Sequence, residues 1–116
     1  MINFTSDPID FNQVTESVRS HAAGAVVLFL GTVREFTGEV QTSALEYDAY
    51  PEMAVQELHQ LDTDVREKWP VIDVAMVHRT GALQLGDIAV AVAVSSGHRK
   101  EAFAAGQWLI DTLKVR

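Results

Sequence analysis

The sequence predicts an α+β domain with a mostly antiparallel sheet and about three helices, on three observations. Segments with an apolar period of two come largely in pairs. Segments with an apolar period of about 3.6 separate those pairs, where strict βαβ alternation would mark a parallel sheet. The 116 residues suit one domain, 1–116, with no room for a second. With 47% hydrophobic and 22% charged residues, the chain has enough apolar mass to bury one core, which excludes a disordered, collagen-like or coiled-coil chain.

Each element follows in order. Ile2 and Phe4 alternate with polar neighbours, as in a short strand. Asp10 and Gln13 have capping-box spacing, and Phe11, Val14 and Val18 repeat at helical intervals, so a first helix is expected to run on to about Gly24. Ala25 to Leu30 is an unbroken apolar run, short enough to be a central strand buried on both faces, and it ends at Gly31-Thr32-Val33-Arg34. Glu35-Phe36-Thr37-Gly38-Glu39 reads as a flexible connection, followed by a strand from Gln41 to Tyr47. Tyr50-Pro51 opens a second helix with a buried stripe of Ala54, Leu58, Leu61 and Val65, which Trp69-Pro70 ends.

Ile72, Val74 and Met76 alternate in a strand leading to His78-Arg79-Thr80-Gly81, where the His78-Arg79 pair reads as a surface or pairing feature. A turn at Leu85-Gly86-Asp87 precedes a second alternating run from Ile88 to Val94, with room for a short extra strand around Leu83. Ser95-Ser96-Gly97 breaks that run. The third helix carries Ala102, Gly106, Leu109 and Leu113 on one face, with Phe103 and Ile110 beside them.

Charge and composition narrow the function. Nine basic against sixteen acidic side chains give a net charge of −7, which disfavours nucleic acid and anionic membranes as partners. The absence of cysteine excludes a disulfide framework, a thiolate nucleophile and a persulfide carrier. No segment has the length of a membrane span and the N-terminus lacks a signal-peptide pattern, so the expectation is a soluble cytoplasmic protein. The histidines lack metal-ligand spacing, and no cofactor motif of the dinucleotide or P-loop type is present, so neither metal nor cofactor is expected.

Three places could carry chemistry. His98, Arg99 and Lys100 fall in the opening turn of the third helix, where cations are unfavourable unless an anion lies on them. The alternative is a solvated turn balanced by Glu101. Arg34 leaves the end of the apolar strand, either to meet a ligand or to reach solvent beside Glu35. Lys114, with Arg116 near it, sits at a helix C-terminus, which the dipole favours in any case; a lysine crowded by other cations would instead have a depressed pKa and act as a proton donor or nucleophile.

In sequence order, residues 25–34, Leu45-Glu46-Tyr47 through Tyr50-Pro51-Glu52-Met53, His78-Arg79-Thr80-Gly81, Ser96-Gly97-His98-Arg99 with Ala102-Phe103, and Leu113-Lys114-Val115-Arg116 resemble the large, catalytic subunit of molybdopterin synthase, the MoaE family. The resemblance implies an α/β hammerhead-type domain, a homodimer of large subunits, and a heterotetramer completed by two small ubiquitin-like sulfur-carrier subunits. In that assembly the carrier's C-terminal Gly-Gly thiocarboxylate donates sulfur to cyclic pyranopterin monophosphate (precursor Z), building the dithiolene of molybdopterin. Position by position, it implies substrate contacts from Thr32, Val33 and Arg34, a phosphate- or pterin-binding pair in His98 and Arg99, and a catalytic lysine in Lys114. The family pattern continues past Lys-x-Arg into a Pro-aromatic-Trp-Lys stretch with a second functional lysine. This sequence stops at Arg116, so it is either cut short or belongs to an impaired or specialised protein. Weak activity restored by a longer C-terminus would support the first, and full activity as given would remove the second lysine from the mechanism. A different class of reading also fits the residues: a non-catalytic α+β module that holds a phosphorylated metabolite or the carrier.

Overall fold

The computed structural model describes residues 1–34, 36–37, 40–41, 44–47 and 51–114. The elements are β1 (Ile2–Thr5), α1 (Phe11–Val18), β2 (Ala25–Thr32), β3 (Phe36–Thr37), β4 (Val40–Gln41), β5 (Ala44–Tyr47), α2 (Pro51–Lys68), β6 (Val71–Arg79), β7 (Gly81–Gln84), β8 (Ile88–Ser96) and α3 (Arg99–Lys114). Four strands form the main sheet in the order β1-β6-β8-β2. Only the β1–β6 pair is parallel, so the sheet is mixed and mostly antiparallel, with three helices, as the sequence predicts. β7 is the extra strand expected around Leu83, and it pairs with β5.

The alternation of β6 and β8 builds a core on each face of the sheet. Val74, Met76, Val92 and Val94 point to one side, where Leu58, Leu61 and Val65 of α2 and Ala105 and Leu109 of α3 cover them. Ala75, Val77, Ala91 and Ala93 point to the other, under Val14 and Val18 of α1. The small alanines let the short α1 lie close to the sheet, while valines and a methionine fill the deeper space beneath two longer helices.

Three sequence expectations are corrected. The first helix stops at Val18, well before Gly24: Asp10 caps its start by accepting from the Asn12 and Gln13 amides, but Ser20 then takes the chain into a turn. Among the described residues β2 lies at the edge of the main sheet, half-buried over most of its length, where a central strand buried on both faces was expected. Part of the stretch read as a flexible connection forms a two-residue strand pair, Phe36–Thr37 with Val40–Gln41. Glu35, Gly38, Glu39, Tyr50, Val115 and Arg116 lie outside the described residues. No helix among the described residues is long and apolar enough to cross a membrane.

Candidate functional site

β2, β8 and α3 place the predicted site residues at two ends of the molecule. β2 and β8 run antiparallel, with Ala25 opposite Ser96 at one end and Thr32 opposite Ile88 at the other. The strand's eight residues separate those ends by roughly 23 Å. α3 starts beside the Ser96 end and returns along β2: Gly106 faces Val27, and Leu113 reaches the neighbourhood of Phe29 and Val90. Its sixteen residues span about 24 Å, so the backbone of Lys114 arrives at the Thr32 end.

At the Thr32 end, a register shift between Gly31 and Thr32 turns the strand out of the sheet. Gly31 is needed here, because a Cβ would lie 2.7 Å from Val90 Cγ1. Val33 pegs the turn. Its side chain is buried with Leu83 and Ala89, its N–H donates to the Asp87 carbonyl at 2.9 Å, and its carbonyl accepts from Gly86 N–H at 2.8 Å. Its burial serves to hold Thr32 and Arg34 on either side of it, both exposed. Arg34 makes no ion pair among the described residues.

An apolar cavity of about 440 Å³ lies toward this same end, between the sheet, α2 and α3. Phe4, Phe29, His78, Val90, Ile110 and Leu113 are among its walls. His78, read from the sequence as a surface or pairing feature, is half-buried and also lines this cavity. The period of two had the signal: Val74, Met76 and His78 share a strand face, so the imidazole points the way the core does. Its ring packs on Phe4 with centroids 5.4 Å apart, and burial lowers its pKa from 6.5. The pairing expectation holds for its neighbour, since Arg79 meets Asp87 at 3.4 Å.

A lowered histidine pKa means that the unfolded chain binds the proton more tightly. His78 therefore costs stability as pH falls below 6.5 and through its folded value, and costs nothing above that window. Melting temperature measured from about pH 5 to 7.5 should rise with pH, and His78→Phe should flatten that slope.

At the opposite end, Ser95 and Ser96 are buried, and the Ser96 hydroxyl donates to the His98 carbonyl. Gly24 N–H donates to the Ser96 carbonyl at 3.0 Å, which brings Gly24 against Gly97. A Cβ on Gly24 would lie 2.5 Å from the Gly97 oxygen. The contact fixes the turn that presents His98, Arg99 and Lys100, all exposed, around a shallow concavity at the start of α3. Glu101 follows half-buried, with one carboxylate oxygen buried and without a hydrogen-bond partner among the described residues. Gly24→Ala should cost about 1–3 kcal/mol of stability, read from chemical denaturation, because backbone must move to admit the methyl.

Of the predicted site residues, one chain brings together Thr32, Arg34 and the backbone of Lys114; the side chain of Lys114 lies outside the described residues. His98 and Arg99 belong to the far end. Each end offers what a phosphate-bearing ligand needs, exposed cations in an acidic protein.

A family model described as MoaE protein matches residues 4–116. The chain is 44% identical over 110 residues to the molybdopterin synthase catalytic subunit of Bacillus subtilis (strain 168), covering 95% of this chain and 70% of that one. It is 46% identical over 109 residues to the molybdopterin synthase catalytic subunit of Staphylococcus aureus (strain COL), covering 94% and 74%. Among solved structures, the crystal structure of molybdopterin synthase from Staphylococcus aureus matches with a TM-score of 0.88 and 46% identity, covering 93% of this chain and 79% of that one. The complex of subunits 1 and 2 of molybdopterin-converting factor from Helicobacter pylori 26695 shares the fold, with a TM-score of 0.77 at 18% identity over 95% and 75% of the two chains.

Proposed function

The chain belongs to the MoaE protein family, and from that membership we propose that it is the catalytic subunit of a molybdopterin synthase. Working in the cytoplasm as one domain over residues 1–116, it moves sulfur from the C-terminal Gly-Gly thiocarboxylate of a small ubiquitin-like carrier onto cyclic pyranopterin monophosphate, the precursor of molybdopterin. The observation that carries the reading is a family match from residue 4 to 116 that takes in both cationic ends of β2. The absence of cysteine agrees with it, because an enzyme without a thiol must receive its sulfur already activated on a partner.

The chemistry divides among named groups. The thiocarboxylate sulfur attacks a side-chain carbon of the substrate; a C–S bond forms as the C–O bond to the cyclic phosphate breaks, and the phosphate leaves as an oxyanion. Water then cleaves the acyl–sulfur bond, freeing the carrier carboxylate and leaving the thiolate on the pterin. Arg34, His98 and Arg99 stabilise the phosphate charge as it grows. Thr32 adds a hydroxyl beside Arg34, and Lys114 moves a proton or holds the carrier's C-terminus. The apolar cavity beside Leu113 suits an extended, uncharged peptide tail.

Arg34 and the His98–Arg99 pair stand roughly 23 Å apart along one strand. A site that uses all three is therefore built from two chains, with Arg34 and Lys114 from one and His98 and Arg99 from the other. The homodimer within the heterotetramer is then a catalytic requirement. Mixing the purified protein with a thiocarboxylated carrier and precursor Z tests the function: dithiolene product is expected. Binding of both without consumption of precursor would make the chain a non-catalytic module.

A further inference from the structure

The turn between β7 and β8 grips the segment that carries Arg34, and Asp87 is its node. Asp87 N–H donates to the Gln84 carbonyl at 3.0 Å, and the Asp87 carboxylate accepts from Gln84 N–H at 2.9 Å. The closed turn holds both polar groups of Val33, through the Asp87 carbonyl and the Gly86 N–H. Arg34 makes no ion pair among the described residues, so the place of its guanidinium follows from that backbone. One more side chain reaches the node. Arg79, the last residue of β6, brings Nη1 to 3.4 Å from the same Asp87 oxygen that takes the Gln84 bond. By the period of two, Arg79 shares the sheet face of Ala75 and Val77, opposite that of His78.

Stability gives no account of Arg79. Its side chain is only 16% exposed, and its Nε is buried without a hydrogen-bond partner among the described residues. A buried N–H left unmet opposes folding. An ion pair at 3.4 Å to a carboxylate one-third exposed does little to offset that. An apolar side chain of similar length would fill the space without the penalty. We infer that Arg79, acting through Asp87, is a positioning residue for Arg34. Its charge holds the Asp87 carboxylate where it accepts from Gln84, the bond closes the turn, and the turn fixes Val33, from which Arg34 departs. The catalytic consequence rests on the proposed function; the tie from Arg79 to Val33 does not. A guanidinium meets a phosphate as a planar fork, so its direction matters as much as its charge. A displacement of about 1 Å at such a group lowers a rate by about 10²-fold.

Arg79→Met tests the tie, because it removes the charge and the unmet N–H together while keeping the length. Its melting temperature should equal or exceed that of the wild type. Hydrogen exchange at the Val33 and Gly86 amides should quicken about tenfold or more, with Ala91 and Ala93 in the middle of β8 unchanged. The single-turnover rate of dithiolene formation should fall about tenfold to a hundredfold. Arg79→Lys, which keeps a cation at the node, should recover most of that rate and slow both amides again. Unchanged exchange at Val33 and Gly86 in Arg79→Met overturns the inference. So does a lowered melting temperature with faster exchange throughout the sheet, which makes Arg79 a structural residue. Faster exchange at the two amides with a wild-type rate leaves the tie but overturns the positioning role. A wild-type chain that forms no dithiolene defeats the proposed function alone, and exchange at Val33 and Gly86 then decides the tie by itself.

Discussion

Lys114→Ala is expected to lower the single-turnover rate of dithiolene formation by about 10²–10⁴-fold, the range for losing a positioned proton-transfer group. Affinity for precursor Z, measured by calorimetry, should change by no more than about threefold, because the proposed site assigns the phosphate to Arg34, His98 and Arg99. The placement behind this expectation is that of the backbone. α3 returns along β2, so Lys114 follows Leu113 at the cavity wall and arrives at the Arg34 end. Lys114→Arg then separates two roles that alanine confounds. Arginine keeps the positive charge but does not give up its proton at any working pH. A dead Lys114→Arg enzyme assigns proton transfer to the lysine; a largely active one assigns it the charge that holds the carrier's terminus. Unchanged turnover in Lys114→Ala removes the residue from the mechanism.

Periodic elements were legible in the sequence because their signal is local. The stripe Leu58, Leu61 and Val65 is buried as its spacing predicts, and so are Ala102, Gly106 and Leu109. The parity of β6 and β8 even sorts the two cores, large residues to one face and alanines to the other. β2 misled for a physical reason. Six apolar residues in a row report that both faces meet something, but nothing local reports whether a strand lies on each side. Phe103 is the same case on a helix: an aromatic beside a buried stripe reads as core, yet the chain leaves it exposed. The site suffered from the complementary limit. Arg34, His98 and Lys114 share a chemistry that sequence can recognise, but which end of a strand each occupies depends on the β2–β8 register and on the direction of α3. Val33 shows how neighbours diverge. Flanked by two exposed residues, it is itself buried to 4% exposure, because anchoring the turn takes one apolar side chain pointing inward.

Complementation between two inactive variants should restore activity, in the pattern that the proposed two-chain site requires. Arg34→Ala and His98→Ala each remove a group from every site of their own homodimer, so each protein alone should be nearly inactive. When equal amounts are unfolded and refolded together, random pairing makes about half the dimers mixed. In a mixed dimer, one site joins the mutated Arg34 end to the mutated His98 turn and is doubly broken. The other joins an intact Arg34 and Lys114 to the partner's intact His98 and Arg99. About a quarter of all sites should then work, so the mixture should recover about a quarter of the wild-type rate. The matched control pairs Arg34→Ala with Lys114→Ala, whose groups lie at the same end of one chain. Every mixed dimer then carries one defect in each site, and no recovery is expected. Recovery in the first mixture and none in the second is an outcome that a site contained within one chain does not produce. There, every chain would carry its own defect, both mixtures would stay dead, and the two-chain assignment of His98 and Arg99 would fall.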